Sequence, residues 1–480
     1  MKMNFLATGF WNINELTLPH RGDLYLDAEG GEINLEIHIP NKGELLNFLE
    51  LPLEIPFIKG STSNGSQVTL VDCSRKSTSG RMGSVATLGY KAKYMLSGVA
   101  FEKKEDIVFS KMQIDIPGII QWGNVSNYNI PESYIKDGLI ELNILEPINI
   151  FTCDEYTVSY ELICSHPFLS FMREEIVLKQ MPSLLIESKV LKSLDWYIDV
   201  AVKMKRIIEI AMGTPLNFSS ILAQSPKIIY EFENSQQKMR SIKVIHELTR
   251  KENMITALEE AISKHEFLFT LNELAEQGNF SHWHKISTKM EPIIELYIDD
   301  LYNRGLSYSR HFLNMAQALE TYHSRFIFNG KLKDYKEQRV EVLISERPEG
   351  LKQRDREFLL GGSKFAITLR NRIADLTLAN FRRPFFTGNI HLTDFPRIIA
   401  NTRNYYTHYD QEQEKKALKG EELLYAYFYL RSILEYYLLI ELGFGEDFAH
   451  KRMIKRIQPL KDSLVIQAEN DRRFNKSEKQ

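Results

Sequence analysis

The sequence predicts an α+β multidomain chain: a β-rich, sandwich-like N-terminal region, a mixed middle region and an all-α C-terminal bundle. Three observations carry this. Short runs with a period of two fill the first third. A helical period takes over near residue 280 and persists. One long segment, EELLYAYFYLRSILEYYLLIELGFG (421–445), is apolar nearly all round and reads as a buried central helix.

The strands come first. LYLDAEGGEINLEIHI (24–39) places a turn at Glu29-Gly30-Gly31 between two strand-like stretches. In the second stretch Ile33, Leu35, Ile37 and Ile39 alternate with Asn34, Glu36 and His38, the pattern of a half-buried strand. KKEDIVFSKMQIDIPG (103–118) and GLIELNILEPINIFTCDEYTVSYELIC (138–164) read the same way. KGSTSNGSQ (59–67) and SRKSTSGRMGS (74–84) are rich in Gly and Ser and read as mobile loops. Many short strands with frequent turns predict an antiparallel sandwich or barrel over 1–165.

The middle region, 166–285, mixes types. EEIVLKQMPSLLIES (174–188), KIIYEFEN (227–234) and RSIKVIHEL (240–248) read as strands. Between them Ser193 is placed to cap a helix with a stripe of Leu194, Ile198, Val202 and Ile208, closed by Gly213. Helices are then predicted at 286–303, 307–328, 354–380, 393–409, 421–442 and 446–456, with Gly305, Gly330, Gly388, Gly420 and Gly443 near the breaks. They define a helical domain over 286–460, and 461–480 reads as a polar tail. Glu421, Glu422, Arg431, Glu435 and Glu441 make the 421–445 segment a bundle core, and not a membrane span.

Composition narrows the function classes. The 480 residues carry 43% apolar and 26% charged side chains, with a formal net charge of −3, so no global charge points to nucleic acid. Cys73, Cys153 and Cys164 are odd in number, far apart and without a CxxC, which predicts neither a disulfide framework nor a zinc site and fits a reducing cytoplasm. Neither a signal peptide nor a membrane partner is expected. GGSK (361–364) lacks phosphate-loop spacing, and His282 with His284 is an i, i+2 pair that a helix splays. Neither a metal nor another cofactor is expected.

One stretch stands apart. Between 364 and 403, Lys364, Arg370, Arg372, Arg382, Arg383, Arg397 and Arg403 face only Asp375 and Asp394, a local excess of five positive charges in an acidic chain. Such segregation suits a phosphate backbone, although arginines also pair with carboxylates of neighbouring helices. The stretch ends in NTRNYYTHYD (401–410), on the predicted 393–409 helix, with Thr393 or Asp394 as N-cap and Ile398, Ile399 and Tyr406 as the buried stripe. Metal-free RNA cleavage needs few groups. A histidine can take a proton from a ribose 2′-OH or give one to the leaving oxygen, and an arginine can hold the phosphate through two N–H groups. Arg403 and His408 supply these types, and Asn404 can position a phosphate or a 2′-OH. Their spacing of five residues is about 140° of helical rotation, which an ideal helix splays. A loosened last turn or a second subunit would be needed to converge them.

The pattern Arg403-Asn404-x-x-x-His408 resembles the R-x(4–6)-H signature of HEPN ribonucleases. The apolar helix that follows fits that fold. The earlier FLNMAQALETYHSR (312–325), with Glu320 and His323, resembles the first long helix of the Apea-like HEPN subgroup. GFWNINE (9–15) and RGDLYLDAEGGEINLEIHI (21–39) resemble the region preceding this domain in the ApeA proteins of prokaryotic anti-phage defence.

The resemblance implies a metal-independent endoribonuclease of abortive infection. It implies a homodimer, or a higher even-numbered oligomer, with two motifs at one composite site, and RNA, with transfer RNA as the first guess, as substrate. Arg403 and His408 would carry the reaction with Asn404 assisting. Glu320 and His323 are secondary candidates, or else a buried polar pair that orients helices. Tyr405, Tyr406, Arg397, Arg382 and Arg383 would contact RNA, with Tyr405, Tyr406 and Tyr409 as candidates for stacking bases and at least one of these three rings simply core. The β-rich region would sense a phage-derived trigger or restrain the nuclease. Two other readings compete: a non-catalytic HEPN-like scaffold, and a ligand-binding β-region with the helices as an oligomerisation device. Retention of both Arg403 and His408 weighs against the first.

Overall fold

Alternation of inward apolar and outward polar residues builds the strands of the first unit. In the computed structural model, residues 3–13, 18–27, 32–40, 52–79, 85–129, 140–165, 177–231, 237–247, 267–303, 305–332, 334–338, 367–377 and 395–456 are described. The chain divides into two units, Met1–Ile208 with Leu216–Ala275, and Glu209–Pro215 with Glu276–Gln480.

Six antiparallel strands open the first unit: β1 (Met3–Asn12), β2 (His20–Asp27), β3 (Ile33–Pro40), β4 (Glu54–Thr62), β5 (Gln67–Ser79) and β6 (Val85–Ser97). Neighbours run β6-β3-β2-β1-β4-β5, and β5 pairs back onto β6, so the sheet closes into a barrel. Closure leaves no open edge among these six. Ile33, Leu35, Ile37 and Ile39 point into its core with Trp11, Leu24, Ile58, Leu70, Leu88 and Tyr90. Glu36 and His38, one step out of phase, stand on the outer face. Trp11 donates its indole N–H to the Gly22 carbonyl across 3.1 Å. Gly60 lies against its ring so closely that an added Cβ would sit 2.3 Å from a ring carbon. The Ser-rich stretch 74–84, read above as a loop, instead continues β5 to Ser79, because Ser74–Ser79 find ladder partners on β6 from Lys91 to Thr87.

β6 is long enough to serve two neighbours on one side. Its Val85–Ala92 half pairs with β3, and its Tyr94–Ser97 half pairs with a later strand. Through that pairing the barrel continues into β7 (Phe109–Asp115), β10 (Ile148–Thr152), β11 (Tyr156–Cys164), β12 (Gln180–Lys192), β13 (Ser220–Glu231) and β14 (Gln237–His246), in the order β10-β11-β12-β7-β13-β14-β6. The strands of the 166–285 region therefore belong to the same sheet as the N-terminal ones. Two very short strands, β8 (Tyr128–Asn129) and β9 (Glu141–Leu142), form a separate ribbon. Between β7 and β8 lies the one-turn helix α1 (Ile119–Gly123). Helix α2 (Leu194–Met212) starts at Ser193, whose hydroxyl accepts from the Trp196 N–H, and ends at Gly213 with φ +68. It packs Tyr197 onto β7 by a hydrogen bond to the Phe109 carbonyl. The three cysteines are free.

The second unit is helical. Its described helices are α4 (Phe280–Tyr302), α5 (Tyr308–Tyr322), α6 (Leu369–Leu376), α7 (Phe395–His408), α8 (Gln411–Glu414) and α9 (Gly420–Glu441), after a short α3 (Leu271–Gln277) that ends the first unit. A last helical stretch covers 446–456. α5 packs against α4, α6, α7 and α9 and occupies the centre. At its end the backbone widens into a π turn, His323–Ile327. α9 is buried along most of its length, including Leu430, Ile433, Leu434, Leu438 and Leu439. Gly443 follows it at φ +91, where an added Cβ would lie 2.4 Å from the Asn279 backbone nitrogen, and Asn279 caps α4. Among the described residues no helix is long and apolar enough to cross a membrane.

Two buried carboxylates of this core gather several partners, as burial requires. Glu435 on α9 is fully buried. Its Oε1 accepts from the Tyr297 hydroxyl at 2.6 Å, the Arg431 Nε at 2.9 Å and the Arg456 guanidinium. Burial alone would raise this carboxyl's pKa. The charges of Arg456 and Arg431 and the Tyr297 hydrogen bond outweigh it and hold the pKa below its ordinary value. Asp300 bridges Tyr427 on α9 at 2.7 Å and His311 on α5 at 2.6 Å.

Candidate functional site

α7 carries the R-x4-H motif. Phe395, Pro396, Ile399 and Thr402 are its buried side, so Arg403 and Asn404 begin the solvent-facing arc. Ile398 and Tyr406, expected in the buried stripe, are half-buried. The helix stays regular through His408, so the last turn is not loosened and about 140° separates Arg403 from His408, with an axial rise of about 7.5 Å.

The arginine is held by two acceptors. Its Nη2 donates to Glu320 Oε2 on α5 at 2.8 Å, and its Nη1 donates to Asn404 Oδ1 at 3.3 Å. Both the Arg403 and Glu320 side chains are about one-third exposed, with relative accessibilities of 32% and 30%. One guanidinium nitrogen on one carboxylate oxygen leaves further N–H donors for a phosphate. His408 is exposed at the helix end and has no hydrogen-bond or ion-pair partner among the described residues.

The ring cluster surrounds that end. Tyr405, Tyr406 and Tyr409 meet edge to face, with centroids 4.9, 5.5 and 6.2 Å apart. Tyr406 donates its hydroxyl to the Leu418 carbonyl at 3.1 Å, and the Leu418 N–H donates to Thr402, so this ring ties the following loop to α7. Burial raises the Tyr406 pKa, which keeps the phenol a neutral donor. Lys419, paired with Glu414, sits 5.9 Å over the Tyr405 ring. Tyr409 terminates the helix in the left-handed region, φ +53, with its N–H on the Tyr405 carbonyl. That conformation costs a residue with a Cβ about 1–2 kcal/mol and usually selects glycine.

His323 is placed elsewhere. It is fully buried in the π turn. Its Nε2 lies 2.7 Å from Asp375 Oδ2, and Arg372 Nη1 donates to its Nδ1 at 3.0 Å. A guanidinium can only donate, so Nδ1 carries the lone pair and Nε2 the proton. Tyr335 donates to the same Asp375 oxygen at 2.7 Å. The structure thus brings Glu320 to Arg403, while His323 joins α5 to α6. Arg372, counted above toward a basic surface, is spent on His323. Asp375 is 52 residues from His323, and no spacing signals such a contact. Arg397 is exposed on the first turn of α7, and Arg382 and Arg383 lie outside the described residues, as do Thr393 and Asp394. Among the described residues no group of three or more His, Cys, Asp or Glu is placed to hold a metal ion.

The family model of the Apea-like HEPN domain matches residues 313–448, which hold Glu320, Arg403 and His408, and the model of ApeA N-terminal domain 1 matches residues 7–283. The chain belongs to the ApeA family. Its C-terminal unit holds the HEPN part, the nuclease-type module of defence effectors, and all but the first residues of its barrel and continuing sheet fall within the span of the N-terminal domain. No curated protein and no solved structure matches the chain significantly.

Proposed function

We propose that the chain is a metal-independent endoribonuclease of anti-phage abortive infection, acting in the cytoplasm through Arg403 and His408. The observation that carries this is the motif's arrangement on α7. Arg403 is steadied by Glu320 with donors to spare, and His408 stands exposed one turn on, at the helix end.

The chemistry needs a base and an acid. The base takes the proton of the ribose 2′-OH, and that oxygen bonds to phosphorus. The P–O5′ bond breaks, and the acid gives its proton to O5′. The products are a 2′,3′-cyclic phosphate and a 5′-hydroxyl. Imidazole can fill either role near neutral pH, but one imidazole cannot fill both in one step. Each chain's motif holds one histidine, so a homodimer pairing two motifs supplies both. Pairing also answers the 140° splay, since Arg403 of one copy need not reach His408 of the same copy. Arg403 binds the phosphate and stabilises its growing charge. Asn404 holds the arginine or a 2′-OH. Arg397, Arg382 and Arg383 extend the phosphate track. The β-rich unit senses a phage-derived trigger or restrains cleavage until one arrives. Transfer RNA is the first substrate to test.

The test is cleavage of total RNA by purified full-length protein in chelator, with sequencing of the ends. Wild type should leave cyclic phosphate ends, and Arg403→Ala and His408→Ala should each abolish them. Cleavage that survives both substitutions would remove the assignment.

A further inference from the structure

We infer that Tyr409 is a base-stacking platform, a specificity-determining residue that receives an unstacked nucleobase beside the scissile phosphate. This rests on the ribonuclease reading of Arg403 and His408. Three observations converge. Tyr409 follows His408 directly, so ring and imidazole spring from Cα atoms about 3.8 Å apart. Its backbone is left-handed, φ +53, at a helix-ending position where glycine is the unstrained choice. The residue is 65% exposed, although Tyr405 and Tyr406 meet its ring edge to face at 5.5 and 6.2 Å. The chain accepts backbone strain to keep an aromatic ring fixed and open to solvent beside the reacting groups. Strain of this kind points from geometry to function.

The three rings divide their roles. Tyr406 is committed to the Leu418 carbonyl and Tyr405 lies under the Lys419 ammonium. Tyr409 alone presents a largely open ring. Its chain neighbours Thr407, His408, Asp410 and Gln411 are all exposed and polar. A large contiguous apolar patch would mark a docking surface, and these chain neighbours supply none. A single rigid ring in polar surroundings matches one nucleobase, and stacking tolerates any base because every base has a π face. Cleavage would then favour positions where a base can leave its helix, in single strands and loops, with little preference for its identity.

The test uses the full-length chain and a single-stranded oligoribonucleotide carrying 2-aminopurine, with His408→Ala in the background to hold the RNA intact. Tyr409→Gly removes the ring and relieves the backbone, so its thermal midpoint should match or exceed that of its parent. Its RNA affinity should nevertheless fall at least about five-fold, the lower end of a lost stacking contact, and the quenching of 2-aminopurine should disappear. Tyr409→Phe should keep both within about two-fold. In the active chain, Tyr409→Gly should raise KM more than it lowers kcat. Unchanged affinity and quenching in Tyr409→Gly would overturn the platform while leaving the nuclease reading intact if wild type still cleaves. Loss of dimer in sedimentation, with RNA affinity per dimer unchanged, would assign the ring to a second copy and equally overturn it. Tyr409-dependent binding by a chain that never cleaves would uphold the platform and refute the nuclease.

Discussion

Arg403 on α7 donates to Glu320 on α5 across 2.8 Å, joining two residues 83 positions apart in the sequence. The pair is part-exposed and engages one guanidinium nitrogen, so it contributes little to stability, within about 1 kcal/mol. Its value lies in direction. A free arginine samples many rotamers, and a tethered one presents its remaining donors along a fixed line.

Glu320→Ala should therefore cost rate and spare the fold. We expect kcat to fall on the order of ten- to a hundred-fold, as misplacing a charge-stabilising group does, with the thermal midpoint nearly unchanged. Glu320→Gln keeps an acceptor and should recover part of the rate. Single-turnover cleavage beside a melting curve reads both. A faster Glu320→Ala enzyme would mean that the carboxylate competes with the substrate phosphate and acts as a brake.

The proposed two-histidine site predicts a dominant effect of dead subunits. When wild type and His408→Ala chains are mixed equally and allowed to exchange, about a quarter of dimers carry two wild-type chains. Cleavage should drop to about that fraction and not to one half. Mixing Arg403→Ala with His408→Ala chains should restore nothing. A linear dose response, or rescue in the second mixture, would sink the two-histidine site.

The barrel core offers a prediction independent of function. An added Cβ at Gly60 would meet the Trp11 ring at 2.3 Å in a cluster where Trp11 is fully buried. Gly60→Ala should destabilise the first unit by about 1–3 kcal/mol, the usual cost of overpacking. Urea denaturation followed by fluorescence tests it, and a neutral result would mean that the Trp11 ring moves freely.

The sequence shows some of these relationships and hides others for physical reasons. Periodicity is local, so Ile33–Ile39 announce a strand, and the 393–409 and 421–442 helices match α7 and α9 within two residues at each end. Closure is not local. Nothing in β6 alone signals that it pairs with β3, β5 and β14 at once. At the site, Arg403, Asn404 and His408 share one helix and are legible as a motif. Glu320 and His323 sit three apart on neighbouring turns, and only packing decides that one meets Arg403 while the other meets Asp375. Charge counting also misleads here, because Arg372 lies in a basic stretch yet bonds a buried imidazole.

Acid should weaken the helical unit through Glu435. Its folded pKa is held below the ordinary 4.5 by Arg456, Arg431 and Tyr297 against the opposing effect of burial. A depressed carboxylate contributes stability that is present above the unfolded pKa and lost as pH falls through the folded one. Wild type should thus lose part of its stability as pH drops below about 4.5. Glu435→Gln should be destabilised near neutral pH by about 3–5 kcal/mol, because two guanidinium groups stay buried or half-buried without their carboxylate. It should also show a flatter pH dependence than wild type below 4.5, since the titrating group is gone. Urea midpoints by circular dichroism across roughly pH 3 to 7, the range that brackets carboxylate titration, give both comparisons. A difference between the two proteins that does not shrink toward acid would show that Glu435 is not the carboxylate whose charge the core requires.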